Sequence, residues 1–157
     1  MSERPDMGDR IPDIVLEALD GKPVRVSDFA GRPVVLFFYP KDDTPGCTTE
    51  NKDFTRLKPE FDKAGVALLG VSKDPPGKHR RFIEKHRLSV PLASDPVENG
   101  LADALGIWVE KSMYGRTYMG MERTTYLVGA DGRIARVWRK VKVKGHAEEV
   151  LAAAKAL

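Results

Sequence analysis

The 157 residues predict an α/β fold, a mixed central β-sheet flanked by helices and opened by an N-terminal β-hairpin. Three observations carry that prediction. The runs "PVVLFFY" (33–39) and "GVALLGVS" (65–72) are short and almost unbroken apolar stretches, the pattern of strands buried on both faces. Between them Phe54, Leu57, Phe61 and Ala64 recur at helical spacing, which makes a strand–helix–strand unit. Two Asp-Gly pairs, Asp20-Gly21 and Asp131-Gly132, each separate two β-forming runs, as hairpin turns do.

The remaining elements follow in order. "DIVLEAL" and "KPVRV" form the first hairpin around Asp20-Gly21. After the second buried strand, "KHRRFIEKHRL" reads as a helix, "PLASD" as a short strand or loop and "VENGLADALGI" as a short helix. "TTYLVGADGRIARVWR" (124–139) supplies two more strands, and "HAEEVLAAAKAL" closes the chain as an amphipathic helix with Val150, Leu151 and Ala154 on its apolar stripe. No repeat, low-complexity segment or linker divides the chain, so residues 1–157 are expected to form a single domain.

Composition narrows the function. The chain is 41% hydrophobic and 31% charged, as in ordinary globular proteins. A net charge of +3 makes no case for nucleic-acid binding. The densest basic stretch, "RKVKVK" (139–144), alternates as the wet face of a strand or strand end does. The start, "MSERPDMGDRIPD", has no apolar segment of a signal peptide, and no run approaches the roughly 18–20 apolar residues of a membrane span. One cysteine permits no intrachain disulfide, and His79, His86 and His146 are too scattered for a metal site. A reducing, cytoplasmic setting is expected, in which a lone thiol stays free.

That thiol, Cys47, stands in "PKDDTPGCTTENKDF" (40–54). Thr44 before Pro45 fits an N-cap followed by a first helical residue, which puts Gly46 and Cys47 in the first turn. The N–H groups there lack helical partners, and together with the helix dipole they favour an anion such as a thiolate. Gly46 permits close approach to the backbone. Cys47 shares a helix face with Glu50 and Phe54, so its sulfur points towards the protein body. Asp42 and Asp43 oppose a thiolate unless they turn away or are outweighed by cations. A buried, inert packing cysteine is the competing reading of position alone.

The string "PKDDTPGC" matches, through Pro40, Thr44 and Cys47, the Pro-x-x-x-Thr-x-x-Cys signature of peroxiredoxins. "FFYPKDDTPGCTTENKDF", "GVSKDPPGKHRRFIEKHRLSVPLASDP", "MYGRTYMGMERTTYLVGADGRI" and "VWRKVKVKGHAEEVL" extend the resemblance over nearly the whole chain, to the bacterioferritin-comigratory-protein or Q-type class. The resemblance implies a thioredoxin-like fold and a thiol peroxidase that needs no cofactor and no metal. Cys47 would be the peroxidatic nucleophile, attacking hydrogen peroxide or an organic hydroperoxide and becoming a sulfenic acid. Thr44 would hydrogen-bond the peroxide and the sulfur, Arg123 in "MERTTYL" would face the thiolate, Pro40 would shield the pocket and Glu50 would orient Arg123. Read without the resemblance, Arg123 is a surface residue before a strand, and Glu50 is explained by the helix dipole.

The chain departs from that class at its resolving cysteine. Members carry it five residues after the peroxidatic one, where this chain has Lys52, or in the following helix, near Ile83 here. The sulfenic acid must then be reduced by an external thiol, from glutathione or a thioredoxin- or glutaredoxin-like protein. A monomer or weak homodimer is expected. A Cys-x-x-Cys oxidoreductase is excluded, and nothing places a histidine base beside Cys47 for a hydrolase. The non-enzymatic alternative is a peroxide sensor or redox-gated binding protein, which would oxidise at Cys47 without turnover. Trp138, Tyr114 and Tyr118 read as packing or pocket-rim residues, Met113, Met119 and Met121 as a loop cluster near the site, and His146 as a cap of the last helix.

Overall fold

A computed structural model describes residues 4–96 and 98–157. Its strands are β1 (Leu16–Ala18), β2 (Pro23–Val24), β3 (Val34–Phe38), β4 (Ala67–Ser72), β5 (Leu92–Ser94), β6 (Trp108–Met113), β7 (Arg116–Met121), β8 (Thr124–Val128) and β9 (Ile134–Trp138). The helices are α1 (Pro45–Lys63), α2 (Pro76–His86), α3 (Leu101–Ala104) and α4 (His146–Lys155), with a 3-10 turn at Val26–Phe29. Seven strands form one sheet in the order β2-β1-β5-β4-β3-β8-β9, and β6 pairs with β7 alone. The β3–β4 and β4–β5 pairs are parallel and the others antiparallel, so the sheet is mixed. The fold is thioredoxin-like, with β3 near its centre.

Every side chain of β3 is buried, and the strand feeds two cores by alternation. Val34, Leu36 and Phe38 join a cluster with Leu101, Leu105, Ile107, Met121 and Tyr126. Val35, Phe37 and Tyr39 join the other, with Cys47, Phe54, Phe61, Phe82, Val150 and Leu151. The three long helices thus pack on one face, while α3 and the 3-10 turn cover the other.

The packing that seats α1 starts at a glycine. A Cβ on Gly70 of β4 would lie 2.7 Å from Phe37 Cζ and from Leu92 Cδ2, so only glycine lets the Phe37 ring lie across that strand. Phe37 then stacks on Phe54 of α1 at 4.3 Å between ring centres. This fixes the helix seven residues beyond Cys47, at the carboxyl end of the central strand where α/β folds place reactive groups.

Two readings of the sequence need correction. The basic stretch 139–144 is not strand: β9 stops at Trp138, and Lys140 takes a left-handed φ of 48° in the loop to α4. Residues 108–121, to which the sequence assigned no strand and whose methionines it placed in a loop, form the β6–β7 hairpin around Tyr114-Gly115, with φ values of 52° and 78°.

Candidate active site

The chain leaves β3 through buried Tyr39 and half-buried Pro40, turns at Asp43 with φ 61°, and enters α1 at Pro45. Thr44 is the N-cap residue by its extended backbone, and its carbonyl accepts the Thr48 N–H at 2.8 Å. Its hydroxyl does not cap the helix. It donates instead to the Lys41 carbonyl at 2.8 Å, closing the turn. A hydroxyl has one proton, so in this arrangement Thr44 presents its lone pairs to any further partner. The first-turn N–H groups are left without a side-chain cap.

Cys47 is a free thiol, 1% exposed. Arg123, 76 positions later, places Nη2 3.4 Å from its sulfur and Nη1 2.6 Å from Glu50 Oε1. One planar guanidinium thereby ties the sulfur to a carboxylate one helical turn away. Gly46 makes room for it, since a Cβ there would meet Nη2 at 3.2 Å. The close approach is made by the arginine.

Burial pushes the Glu50 carboxyl up to about 7 against the pull of Arg123, with Asp53 adding to the rise. Burial also works against the Arg123 cation, but Glu50 and Cys47 outweigh it and hold the guanidinium above its ordinary value. Glu50 Oε2 and Asn51 Oδ1 are buried acceptors without a hydrogen-bond partner among the described residues. Asn51 spends its amide on the Cys47 carbonyl at 2.9 Å, a contact the sequence did not announce.

The neighbouring aspartates are engaged away from the sulfur. Asp42 is buried, accepts from Tyr39 Oη at 2.6 Å and faces His79 Nδ1 at 2.6 Å. His79 Nε2 lies 3.1 Å from the Ala93 carbonyl. Burial, then the charge of Asp42, keeps the Tyr39 phenol well above its ordinary range. Asp43 binds Lys85 at 2.8 Å and His86 at 2.7 Å, and these bonds hold its carboxyl below the usual carboxylate range. This network, running from the active-site turn to α2, was not foreseen from the histidine positions.

Other expected residues fall elsewhere. His146 is the first residue of α4, capped by Gly145, and its Nε2 meets Thr125 Oγ1 at 2.8 Å. Burial pushes it down to about 4. Met121 is core, while Met113 and Met119 are exposed and the register puts them on opposite faces of the hairpin, so the three form no cluster. Tyr114 is 98% exposed at the hairpin tip and packs on nothing. Lys52 is exposed, and Ile83 packs half-buried on the core that holds Cys47. Among the described residues no group of three or more His, Cys, Asp or Glu could hold a metal, and no helix is long and apolar enough to cross a membrane.

Fold and site together define a thiol-based peroxidase on a thioredoxin-like sheet. Comparison with known proteins makes this particular. The chain belongs to the AhpC/TSA family, whose pattern matches residues 7–137, and within it to the peroxiredoxin Bcp/Q group. It is 48% identical over 144 residues to the peroxiredoxin Bcp of Xanthomonas campestris pv. campestris, covering 92% of this chain and 89% of that one. Against the peroxiredoxin Bcp of Bacillus subtilis it is 44% identical, covering 93% and 92%. The solved Xanthomonas campestris Peroxiredoxin Q superposes with a TM-score of 0.88 at 46% identity over 96% of this chain and 98% of that one. The Xanthomonas campestris Bacterioferritin Comigratory Protein, described for its alkyl peroxide reduction activity, gives 0.85 at 44% identity over 94% and 98%. The chain is therefore a thiol peroxidase, with a peroxide as substrate and a thiol as reductant.

Proposed function

We propose that Cys47 is the peroxidatic nucleophile for hydrogen peroxide and alkyl hydroperoxides, and that turnover runs through an external thiol. The Cys47 thiolate attacks the terminal peroxide oxygen. The S–O bond forms as the O–O bond breaks, giving a sulfenic acid and an alkoxide or hydroxide that takes a proton from water. A first external thiol displaces water from the sulfenic acid to form a mixed disulfide. A second releases Cys47 and leaves as the oxidised disulfide. With only one cysteine in the chain, no internal thiol can take either step.

The observation that carries this reading is the Arg123 guanidinium, shared between the Cys47 sulfur and Glu50. As the thiolate attacks, charge moves from sulfur onto the departing oxygen. A donor fork that reaches beyond the sulfur binds that spread charge better than the ground state. Glu50 orients the fork, and Pro40 shields the sulfur from solvent. Thr44, its proton committed to the Lys41 carbonyl, accepts a hydrogen bond from the O–H of the incoming peroxide.

Residues 1–157 act as one domain in the cytoplasm, as a monomer or weak homodimer. The reductant is glutathione or a thioredoxin- or glutaredoxin-like protein. The test is peroxide consumption with a panel of these thiols. Wild type turns over with at least one of them and Cys47→Ser with none. A Cys47→Ser protein consuming peroxide at the wild-type rate overturns the assignment, and oxidation without turnover under every thiol makes the protein a sensor.

A further inference from the structure

Lys111 lies on β6 opposite Tyr118 of β7, on the hairpin that runs directly into Arg123. Its stem crosses Gly120. A Cβ on that glycine would stand 2.9 Å from Lys111 Cδ and 3.2 Å from Cε, so the missing side chain forms the trough in which the lysine lies. The ammonium group reaches the Met121 carbonyl at 2.5 Å. Two more bonds hold the same segment. The Glu122 N–H donates to the Ile107 carbonyl at 2.7 Å, and the Arg123 carbonyl accepts the Val141 N–H at 2.9 Å. The end of β7 is thus fixed at three successive residues, and the first of these bonds comes from a charged side chain.

We propose that Lys111 is a positioning residue of the peroxidase site: it anchors the Met121 carbonyl, and so the strand end that presents Arg123, and adds a second positive charge to the field around Cys47. The inference rests on the assignment of Cys47 as nucleophile. A surface lysine serving solubility would extend into water. This one is folded back, half-buried, and spends a proton on a backbone carbonyl two residues before the catalytic arginine. Its surroundings agree. Burial and then the Arg123 charge hold Lys111 below its ordinary value, while Cys47 and Glu122 pull the other way, so the ammonium sits in the fields of both reacting-site groups. Arg123 is committed to Glu50, and the positive charge of that pair is partly offset. Lys111 restores a net cationic setting for the thiolate and the departing oxyanion.

Three variants test this. Lys111→Met keeps the stem but removes the charge and the donor. Lys111→Arg keeps the charge. Gly120→Ala leaves the lysine intact and fills its trough. Stopped-flow oxidation of Cys47 by peroxide gives the rate, and ultraviolet thiolate absorbance at fixed pH gives the thiolate fraction. Lys111→Met is expected to slow oxidation on the order of tenfold, the scale of one unit charge at a partly screened site, and to lower the thiolate absorbance. Lys111→Arg restores the absorbance, and Gly120→Ala falls between wild type and Lys111→Met. The proposal is overturned if Lys111→Met matches wild type in both readouts. It is equally overturned if the rate falls with the absorbance unchanged and Lys111→Arg fails to rescue it, since the lysine is then merely structural. A Cys47→Ser protein that retains activity strikes the nucleophile assignment instead, so the two failures are distinguishable.

Discussion

At the scale of single residues, the site turns on how few protons its polar groups have free. Thr44 has given its only one to the Lys41 carbonyl, so its hydroxyl is left with acceptor capacity alone. Arg123 is the group with donors to spare, and its planar fork is what a lysine cannot copy. Arg123→Lys is therefore expected to lower the rate of Cys47 oxidation by about 10²-fold, the scale of a lost oxyanion donor, after correction for thiolate fraction. Stopped-flow measurement decides it, and a corrected rate equal to wild type would reduce Arg123 to a distant charge. The turn and helix start around Cys47 were legible in the sequence because a proline and a glycine act over a few positions, while the Glu50 carboxylate was explained locally by the helix dipole alone. The facing arginine was not, since no local pattern links positions 76 residues apart, and only the family resemblance singled it out.

At the scale of elements, the active-site turn is stapled to α2. Both ring nitrogens of His79 face oxygen acceptors, Asp42 Oδ2 and the Ala93 carbonyl, while Asp42 also takes the Tyr39 hydroxyl and lends its N–H to Asp74 at 2.8 Å. The histidine thus joins the turn before Cys47, the helix α2 and the strand β5. Removing one member of a buried hydrogen-bonded network leaves the others unsatisfied. His79→Leu should cost about 1–3 kcal/mol in chemical denaturation, and adding Asp42→Asn should recover part of that loss. A loss below about 1 kcal/mol would show that water reaches Asp42 and that the staple is weak. Helices and buried strands were legible because burial imposes a period on the sequence. The β6–β7 hairpin escaped for the opposite reason. It is largely exposed, so its pattern is not enforced by a core, and its turn is Tyr114-Gly115 in place of the Asn-Gly or Asp-Gly pair that marks such turns.

At the scale of the whole molecule, two buried groups, Glu50 and His146, titrate in opposing senses. Glu50 is raised from 4.5 to about 7, so between those values the folded protein holds a proton that the unfolded chain has released. That contribution is present below about 4.5 and is lost as pH rises through about 7. His146 is lowered from 6.5 to about 4, so the unfolded chain binds the extra proton. Its contribution is present above about 6.5 and is lost as pH falls through about 4. From about 4.5 to 6.5 the two slopes, each about 1.4 kcal/mol per pH unit, cancel. Glu50→Gln removes one of them. The variant should gain on wild type by about 2–3 kcal/mol as pH rises from 4.5 to 7, because the glutamine never has to ionise in the core. Its own stability should then fall on acidification below about 6.5, as His146 loses its counterweight. Denaturant midpoints of both proteins across that range test this, and a difference independent of pH would show that Glu50 titrates near its ordinary value. The same variant should oxidise more slowly, since a neutral amide orients Arg123 less firmly than a carboxylate. A variant whose stability relative to wild type climbs with pH while its oxidation slows is one whose lost charge was retained for catalysis at the expense of the fold.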